Sequence, residues 1–595
     1  MPARGRRPTD HPVCKLGTPL CVGCIGILSR SCKTTCITRR WLDSVHAESN
    51  VWHVRNSDDG RRGSGAHTII ARAFACEMIE DSDLGALSRS SFANLLRRGG
   101  DAFGDRVALV HGTEQTTFAE LNRRAGQIAK KLRAIGIRPG DVCAVLAKGP
   151  RDAAAAFFAS LGVGATGINL NELYRPRQIE FVLKNSHARA LVISRGVLES
   201  LSRRLVTGAD VVVLEEIGND DGEFSPLDSD PAAPAQITYT SGSTGQPKGV
   251  VMSHENLWAG VRVVASYLGL RKDDRIAGLL PFSFVYGFNQ LTTALFVGAT
   301  LVVERSTLVQ DIVATLRRER VTVLAAVPPL WQQLLGIAAF RDHPLEHLRI
   351  ATNAGGRLPP STVRDLRRAQ PQAKVFLMYG LTEVFRSTYL SPEEVDSHPD
   401  SIGRAVPEST VYVLNDMGQL AKAGEVGELL HGGPSVAIGY LGDPDATANV
   451  FQPNPFFRPG EPERVVFSGD LVRRDEEGRL YYVGRRDRMI KTLGFRVSPD
   501  EICDVIQASG LVTEAAVITE DDSQRGERIV ACLVLRPEAT LDQVRRFCRI
   551  ELPRYMEPAR YICLTAIPRN ASGKHDLLKL KAIVAGDPSP NLVDD

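Results

Sequence analysis

The sequence predicts an α/β protein with a large N-terminal domain of several subdomains, built on mostly parallel sheets, and a small α+β C-terminal domain. The chain has 595 residues, too many for one compact core. Short apolar segments alternate with amphipathic helical segments over most of the chain, which favours parallel sheets. Near residue 484 a charged, glycine-led segment begins, and a second pattern of helices and strands follows it.

The regular pattern begins near Ser88 and predicts the elements in chain order. Apolar residues recur at spacings of three and four between Leu121 and Ile135, which predicts an amphipathic helix. Ser253 can cap a helix that begins at His254. Strands of the large domain are predicted at residues 107–111, 142–146, 165–170, 190–194, 211–214, 301–303, 321–327, 375–378 and 411–414, with a helix at 152–161. The small domain is predicted to have helices at 499–508 and 541–548 and strands at 515–519, 529–535 and 561–566.

The two ends of the chain differ from the rest. Residues 1–77 are basic, rich in cysteine and without periodicity, so we interpret them as a disordered extension, with Met78 as an alternative start. Their composition also resembles a transit peptide in part. The predicted organisation is therefore an extension at 1–77, an N-terminal domain at 78–486, a C-terminal domain at 487–582 and a flexible tail at 583–595.

The net charge, the apolar runs and the cysteines indicate which partners and which cellular compartment to expect. The net charge of +3 gives no reason to expect nucleic acid or an anionic membrane, and no apolar run is long enough to span a bilayer. Cys143, Cys503, Cys532, Cys548 and Cys563 lie singly in apolar surroundings, which is typical of reduced thiols in a cytoplasmic protein. The C-x-x-C motif in the extension lacks a second pair, so a metal site there is not favoured.

The most informative segment runs from Ile237 to Val250 and contains TSGSTGQPKG. Glycines let the backbone approach a polyphosphate, hydroxyl groups donate to its oxygens, and Lys248 supplies positive charge. The segment does not follow the Walker pattern, so a P-loop NTPase is excluded. On composition alone, a phosphate site and an ordinary glycine-rich turn both remain open.

As written, this loop resembles the signature of the adenylate-forming superfamily, which comprises acyl-CoA synthetases, luciferases and peptide-synthetase adenylation domains. The resemblance implies that the loop binds nucleotide phosphates, and that Thr244 takes part in catalysis and in holding magnesium. The implied nucleotide-binding residues of the loop are Thr240, Ser241, Gly242, Ser243, Gly245 and Lys248.

Two further motifs match the family in the same order. The resemblance implies that the backbone of Gly355 and Gly356 flanks adenine. In Tyr379-Gly380-Leu381-Thr382-Glu383 it implies that Tyr379 stacks on adenine, that Thr382 contacts the α-phosphate, and that Glu383 coordinates magnesium. These roles are physically reasonable, because an aromatic face can stack on a purine and a carboxylate can hold a hard cation.

Three C-terminal segments complete the resemblance, which covers about residues 88 to 582. By resemblance, Asp470 accepts hydrogen bonds from the ribose, Arg485 approaches the ribose, and Asp487 is the hinge of a mobile C-terminal domain. Lys491 would face the site in the second half-reaction. Lys574 would swing into the site, where a cation can bridge two anions as the carboxylate attacks the α-phosphate.

The implied activity uses ATP and Mg²⁺ to convert a carboxylic acid to an acyl-adenylate, and then transfers the acyl group to a thiol. The acid pocket is expected at Phe284, Val285 and Tyr286. An apolar Val285 leaves an ammonium group unpaired, which favours a fatty, hydroxy or other uncharged acid and a role in fatty acid metabolism. Because the printed chain ends shortly after Lys574, the expected thiol is coenzyme A or the phosphopantetheine of a separate carrier protein. A stand-alone enzyme that loads a carrier protein and a non-catalytic nucleotide-binding protein remain the alternatives.

Overall fold

The computed structural model describes residues 90–586, except 175, 202–207, 220, 242–246, 489, 493–494, 523–525, 553, 555 and 571–572. The predicted extension with its cysteine cluster and Met78, the residues from 587 onward and the centre of the phosphate loop lie outside the described residues. The predicted tail therefore stays a prediction, although the last described helix continues to Val584.

Helices cover the faces of the sheets and separate most of the parallel strands. The helices are α1 (Asn94–Phe103), α2 (Phe118–Ala134), α3 (Pro150–Gly162), α4 (Pro176–Asn185), α5 (Arg195–Leu201), α6 (His254–Leu268), α7 (Val285–Val297), α8 (Val309–Arg318), α9 (Pro328–Gly336), α10 (Ala338–Arg341), α11 (Pro360–Ala369), α12 (Pro444–Val450), α13 (Pro499–Ala508), α14 (Leu541–Glu551) and α15 (Leu577–Val584).

The strands fall into three sheets. They are β1 (Val107–His111), β2 (Glu114–Thr117), β3 (Val142–Leu146), β4 (Thr166–Asn169), β5 (Ala190–Ile193), β6 (Asp210–Val213), β7 (Pro234–Ser241), β8 (Pro247–Ser253), β9 (Arg275–Gly278), β10 (Thr300–Val303), β11 (Val323–Ala326), β12 (Ile350–Asn353), β13 (Lys374–Tyr379), β14 (Thr388–Leu390), β15 (Ser401–Ala405), β16 (Thr410–Leu414), β17 (Val426–Gly432), β18 (Gly439–Tyr440), β19 (Phe451–Pro453), β20 (Arg464–Arg474), β21 (Leu480–Arg485), β22 (Ile490–Thr492), β23 (Phe495–Val497), β24 (Val512–Asp522), β25 (Gly526–Leu535) and β26 (Arg560–Cys563).

The first sheet has the order β6-β5-β3-β4-β7-β8-β18. Its strands from β6 to β7 run parallel, and β7 and β8 then form an antiparallel hairpin around the phosphate loop. Strand β5 is buried along its whole length, because helices cover both faces of the sheet. Phe157 and Phe158 of α3 are fully buried in the core on one side.

The second sheet joins a parallel half to an antiparallel half. Strands β13-β12-β11-β9-β10-β1 run parallel, with β2 antiparallel at the edge. Beyond β13 the order β14-β15-β21-β20-β17-β16 is antiparallel. Of this sheet, the sequence predicted the parallel strands β1, β10, β11 and β13 and one antiparallel strand, at 411–414. It did not predict β9, β12 or the rest of the antiparallel half.

The small domain has a sheet of order β23-β22-β25-β24, with β26 parallel to β25. Helices α13 and α14 supply its buried residues Ile502, Ile506, Val544 and Cys548. The predicted helix at 499–508 agrees with α13, and the strands predicted at 107–111 and 142–146 agree with β1 and β3 of the large domain. The other elements predicted for the small domain differ from the structure at one or both ends. Strand β21 ends the second sheet at Arg485 and β22 starts the small sheet at Ile490, so the domain boundary predicted at 486/487 falls between two sheets.

The structure confirms the predicted fold class of an α/β protein with a large N-terminal domain and a smaller C-terminal domain. Ser253 caps α6 as predicted: its side chain accepts from the backbone amide of Asn256, and the Asn256 side chain accepts from the backbone amide of Ser253, which forms a capping box. The five cysteines of the described residues are free thiols, and burial raises the pKa of Cys143 to about 12. Across the described part of the chain, no helix is long and apolar enough to cross a membrane.

Candidate active site

The carboxyl ends of two neighbouring parallel strands bring the adenine motifs together. Strand β12 ends at Asn353 and leads to Gly355, and β13 ends at Tyr379. Ligand sites of α/β sheets lie at such ends. Gly355 has φ +80°, a conformation that favours glycine, and the Asn353 amide donates to the carbonyl of Gly356 over 2.9 Å. A methyl group on Gly380 would lie 3.1 Å from the Cα of Arg386, so a side chain at this position would crowd the turn.

Tyr379 stands in a buried polar environment. Its ring stacks on His431, with 5.9 Å between centroids and 24° between planes. Burial lowers the pKa of His431 to about 3, so this imidazole is neutral at physiological pH. The His431 Nδ1 pairs with the hydroxyl of Ser387. His431 was not among the sequence-predicted site residues, because no motif surrounds it.

Asp470 lies at the predicted ribose position, on β20 beside β21. It is 3% exposed, and its Oδ1 lies 3.2 Å from Nη1 of Arg485, its register partner on β21. The hydroxyl of Tyr379 donates to the other carboxylate oxygen. Burial and the Asp470 charge raise the pKa of Tyr379 well above its ordinary value. The structure thus brings together three of the sequence-predicted residues, Tyr379, Asp470 and Arg485.

Glu383 lies in the short turn Thr382–Val384 that follows the Tyr379 motif. The hydroxyl of Tyr440 donates to Glu383 Oε1 over 2.7 Å, and Nζ of Lys248 lies 5.2 Å from the centre of the Tyr440 ring. Thr240 pairs with Lys248 across the β7–β8 hairpin. Tyr440 therefore connects the phosphate-loop lysine to the predicted magnesium ligand, a role that the sequence motifs did not reveal.

A cavity of about 510 Å³ opens beside this turn. Its lining includes Glu383, Tyr440, Ser468, Gly469 and Arg485. Such a volume lies within the range of small-molecule sites. The cavity therefore joins the predicted magnesium ligand to the segment that carries Asp470.

Lys574 lies on an exposed turn of the small domain, yet it is close to residues of the large domain. The Asn570 side chain accepts from the Lys574 backbone amide over 3.1 Å, which holds the turn in place. Desolvation, then the positive charge of Arg488, lowers the pKa of Lys574, and the carboxylates of Glu383 and Asp470 oppose this shift. The ammonium group is thus within electrostatic range of both predicted site carboxylates.

An ion pair links the two domains near the site. Arg357, in the turn that follows β12, pairs with Asp504 of α13. Burial raises the pKa of Asp504 to about 6, against the lowering effect of Arg357. Ser498, which caps α13, donates to the carbonyl of Val483 on β21 over 2.6 Å. The small domain is therefore fixed to the large one by specific polar contacts.

The predicted acid-pocket residues lie at the start of α7. Phe284 precedes the helix, and Val285 and Tyr286 form its first turn. The Tyr286 hydroxyl donates to the carbonyl of Thr352 over 3.0 Å. The Tyr286 ring lies under a buried arginine, Arg386, with 4.8 Å between Cζ and the ring centre. Arg386 was missed because it follows the recognised motif by three residues.

Several sequence-predicted residues lie outside the described part of the chain. These are Gly242, Ser243, Thr244 and Gly245, together with the side chains of Ser241, Asp487 and Lys491. Their roles stay predictions. Among the described residues, no group of three or more His, Cys, Asp or Glu side chains could hold a metal ion.

Comparison with known proteins gives two family matches. Residues 96–441 match the model described as AMP-binding enzyme, and residues 501–574 match its C-terminal domain. Tyrocidine synthase 3 of Brevibacillus parabrevis is 30% identical over 80% of this chain, which spans 7% of that synthase. The first curated relatives are all much longer than the chain.

Two solved structures resemble the fold closely. ATP-bound MatB from Rhodopseudomonas palustris has a TM-score of 0.74 and 26% identity, covering 83% of this chain and 99% of the other. The O-succinylbenzoate coenzyme A synthetase MenE of Bacillus subtilis, in complex with ATP and magnesium, has a TM-score of 0.73 and 27% identity over 83% and 99%. Each similarity covers most of this chain and almost all of the solved structure.

Proposed function

The chain belongs to the AMP-binding enzyme family, and on that premise we propose that it is an adenylate-forming enzyme that activates a carboxylic acid. More specifically, we propose an AMP-forming acyl-CoA synthetase. In the first half-reaction a carboxylate oxygen attacks the α-phosphorus of ATP, the acyl–phosphate bond forms, and pyrophosphate leaves. In the second, a thiolate attacks the acyl carbon and AMP leaves.

The electrostatic interaction of Lys574 with carboxylates of the large domain is the observation that carries the proposal. The attacking carboxylate and the α-phosphate are both anionic, so a cation between them stabilises the transition state. Lys574 is within electrostatic range of Glu383 and Asp470, on the other domain. Its charge is therefore available where the two anions would meet.

The other site residues supply binding and orientation. In the proposed mechanism Tyr379 and the turn at Gly355 and Gly356 hold the adenine, and Asp470, fixed by Arg485, accepts from the ribose hydroxyls. Thr240, Lys248 and Thr382 would bind phosphate oxygens. Phosphoryl transfer asks a protein mainly for such positioning and charge neutralisation.

The donor set of the site fits magnesium bound together with a nucleotide. Magnesium in phosphate sites is held by one or two carboxylates and by the substrate's own phosphates. Glu383 offers such a carboxylate, oriented by Tyr440, and Thr244 is the second proposed ligand. The ion would neutralise the charge of the polyphosphate.

The two candidate functions differ in the thiol that accepts the acyl group. Coenzyme A is the acceptor in our proposal, and relatives such as tyrocidine synthase 3 favour testing a carrier protein as well. We propose a screen of carboxylic acids by ATP–pyrophosphate exchange, followed by thioester formation with coenzyme A or with a phosphopantetheine-loaded carrier protein. Exchange followed by thioester formation with coenzyme A is the expected result. Thioester formation only with the carrier would replace the synthetase proposal, and no exchange with any acid would contradict it.

A further inference from the structure

Arg386 is a buried cation that forms no ion pair with any residue that the structure describes. It is 4% exposed. Among the described residues no Asp or Glu forms an ion pair with it, and its Nε and Nη2 find no hydrogen-bond acceptor. A buried guanidinium without a negatively charged partner is unfavourable, so an anion from outside the chain is the expected partner.

The two unpartnered nitrogens of Arg386 define the shape of that anion. Nε and Nη2 lie on the same edge of the guanidinium, and their N–H bonds point in parallel. This edge matches the two oxygens of a carboxylate in a bidentate pair. The geometry therefore favours a carboxylate over a single acceptor atom.

The surroundings of Arg386 connect it to the predicted acid pocket. Its Cζ lies 4.8 Å from the ring centre of Tyr286, and the Tyr267 phenol of α6 also interacts with it. Tyr267 in turn stacks on Tyr389, with 4.4 Å between ring centres. These rings shield the guanidinium from water, which strengthens any charge pairing that it makes.

Further unpartnered polar atoms lie on the same segment as Tyr286. Within the described structure, the Oγ of Ser283, the Nδ2 of Asn289 and both amide atoms of Gln290 are buried without hydrogen-bond partners. Asn289 and Gln290 follow Tyr286 by three and four residues on α7, so all three share one helix face. The segment that carries the predicted acid pocket is therefore rich in buried polar groups, which is unusual for a purely apolar site.

The backbone before Arg386 is strained in a way that fixes its direction. Phe385 has φ +57°, which is uncommon for a residue with a side chain. Its ring packs against α6, where a methyl group on Gly260 would come within 2.5 Å of it. Strain of this kind persists where the surrounding structure requires it, and it is concentrated at functional sites.

From these observations we propose that Arg386 selects acids that bear a second carboxylate, which it binds while the first carboxylate is adenylated. The first carboxylate has to meet ATP near Glu383 and Lys574, whereas Arg386 lies against Tyr286 and Tyr267. The two ends of a short diacid thus have separate partners. This inference rests on the proposed function, and it replaces the expectation of an uncharged acid.

The test compares acids of equal length in ATP–pyrophosphate exchange. The probes are the diacids from malonate to adipate and their monoacid counterparts from propionate to hexanoate, together with terephthalate and p-toluate. The wild-type kcat/KM is expected to be at least about 30-fold higher for the best diacid than for its matched monoacid, as for a buried charge pair that loses one partner. Arg386→Met should raise the KM for that diacid by a similar factor and reverse the preference.

Matched variants separate recognition from structure. Arg473 also stacks on a tyrosine, 4.3 Å from the ring centre of Tyr481, but it is exposed, so Arg473→Met should leave the preference unchanged. Arg386→Lys keeps the charge without the bidentate edge and should restore part of the diacid affinity. If Arg386→Met does not fold, the comparison of diacids with matched monoacids in the wild-type protein tests the inference by itself.

Two results would overturn the inference in distinguishable ways. Exchange with monoacids that equals or exceeds exchange with diacids would remove the role of Arg386 and leave the proposed function intact. Absence of exchange with every acid would overturn the proposed function as well.

Discussion

At the scale of residues, the carboxylate of Asp470 is buried and is held by two neighbouring side chains. Its carboxylate is 3% exposed and lies between the guanidinium of Arg485 and the hydroxyl of Tyr379. Both partners are donors, so they orient the carboxylate as an acceptor. A neighbouring pair of hydroxyl donors, such as a ribose diol, is the ligand that this arrangement fits.

Replacing Asp470 with asparagine should therefore weaken nucleotide binding. The amide keeps the shape but loses the charge, so we expect the KM for ATP in pyrophosphate exchange to rise about 10-fold, the loss of one charge-assisted hydrogen bond. Asp475→Asn is the control, because Asp475 pairs with Arg479 in the turn after the same strand. An unchanged KM in Asp470→Asn would remove Asp470 from the nucleotide site.

Lys574 should give the exchange reaction an alkaline limit. Desolvation and Arg488 lower its pKa, so the ammonium loses its proton at a lower pH than the roughly 10.4 of an unperturbed lysine. Wild-type exchange should fall as the pH rises through that value. Lys574→Arg keeps its charge over this range, so its residual activity should lack the fall. An identical alkaline fall in both proteins would show that another group titrates.

The residues proposed to bind the nucleotide could be predicted because they stand in sequence motifs. The side chains that contact them could not be predicted. Tyr379, Glu383 and Asp470 were named from the sequence. His431, Tyr440 and Arg386 reach them from other strands or lie just beyond a motif. Such contacts depend on strand order and side-chain direction, which spacing in the sequence does not encode.

At the scale of elements, the turn after β12 contacts helix α13 and so joins the large domain to the small one. Arg357 pairs there with Asp504, and burial raises the pKa of Asp504 to about 6. Because this pKa is raised, Asp504 is charged above about pH 6 and becomes neutral as the pH falls below it. Asp500, whose pKa burial also raises, faces Arg357 as well.

Because burial favours the neutral form of Asp504, lowering the pH through 6 should stabilise the contact between the domains. After correction for the intrinsic pH dependence, hydrogen exchange of residues 486–492 should decrease about two- to fivefold between pH 7.5 and 5, a modest factor because the pair is partly exposed. Asp504→Asn resembles the neutral carboxyl and should show the slower exchange at both pH values. Asp396→Asn, which breaks a pair with Arg367 inside the large domain, is the control. Equal exchange of the wild-type protein at both pH values would contradict this role.

Several strands that are buried on both faces were predicted, although the buried strands β9 and β12 were missed. Strand β5 is a continuous apolar run of four buried residues, and such runs are visible in the sequence. The antiparallel half of the second sheet was largely missed, because its strands carry polar residues and some are very short. Strand β14, for example, has three residues, too few for a periodic signal.

The whole molecule brings a residue of the last segment of the chain to motifs far upstream. Lys574 belongs to the small domain, yet Glu383 and Asp470 of the large domain contribute to its electrostatic environment. The order of motifs predicted two domains with a shared site. The orientation of the domains could not be predicted, because it depends on contacts such as Arg357–Asp504 and Ser498–Val483.

The central claim is that the Lys574 ammonium activates the acid on a nucleotide bound by the large domain. The most direct measurement is ATP–pyrophosphate exchange in Lys574→Ala beside ATP binding by calorimetry. Loss of one transition-state cation should reduce exchange by about 100-fold or more while the Kd for ATP changes little. Exchange at the wild-type rate in Lys574→Ala would contradict the account.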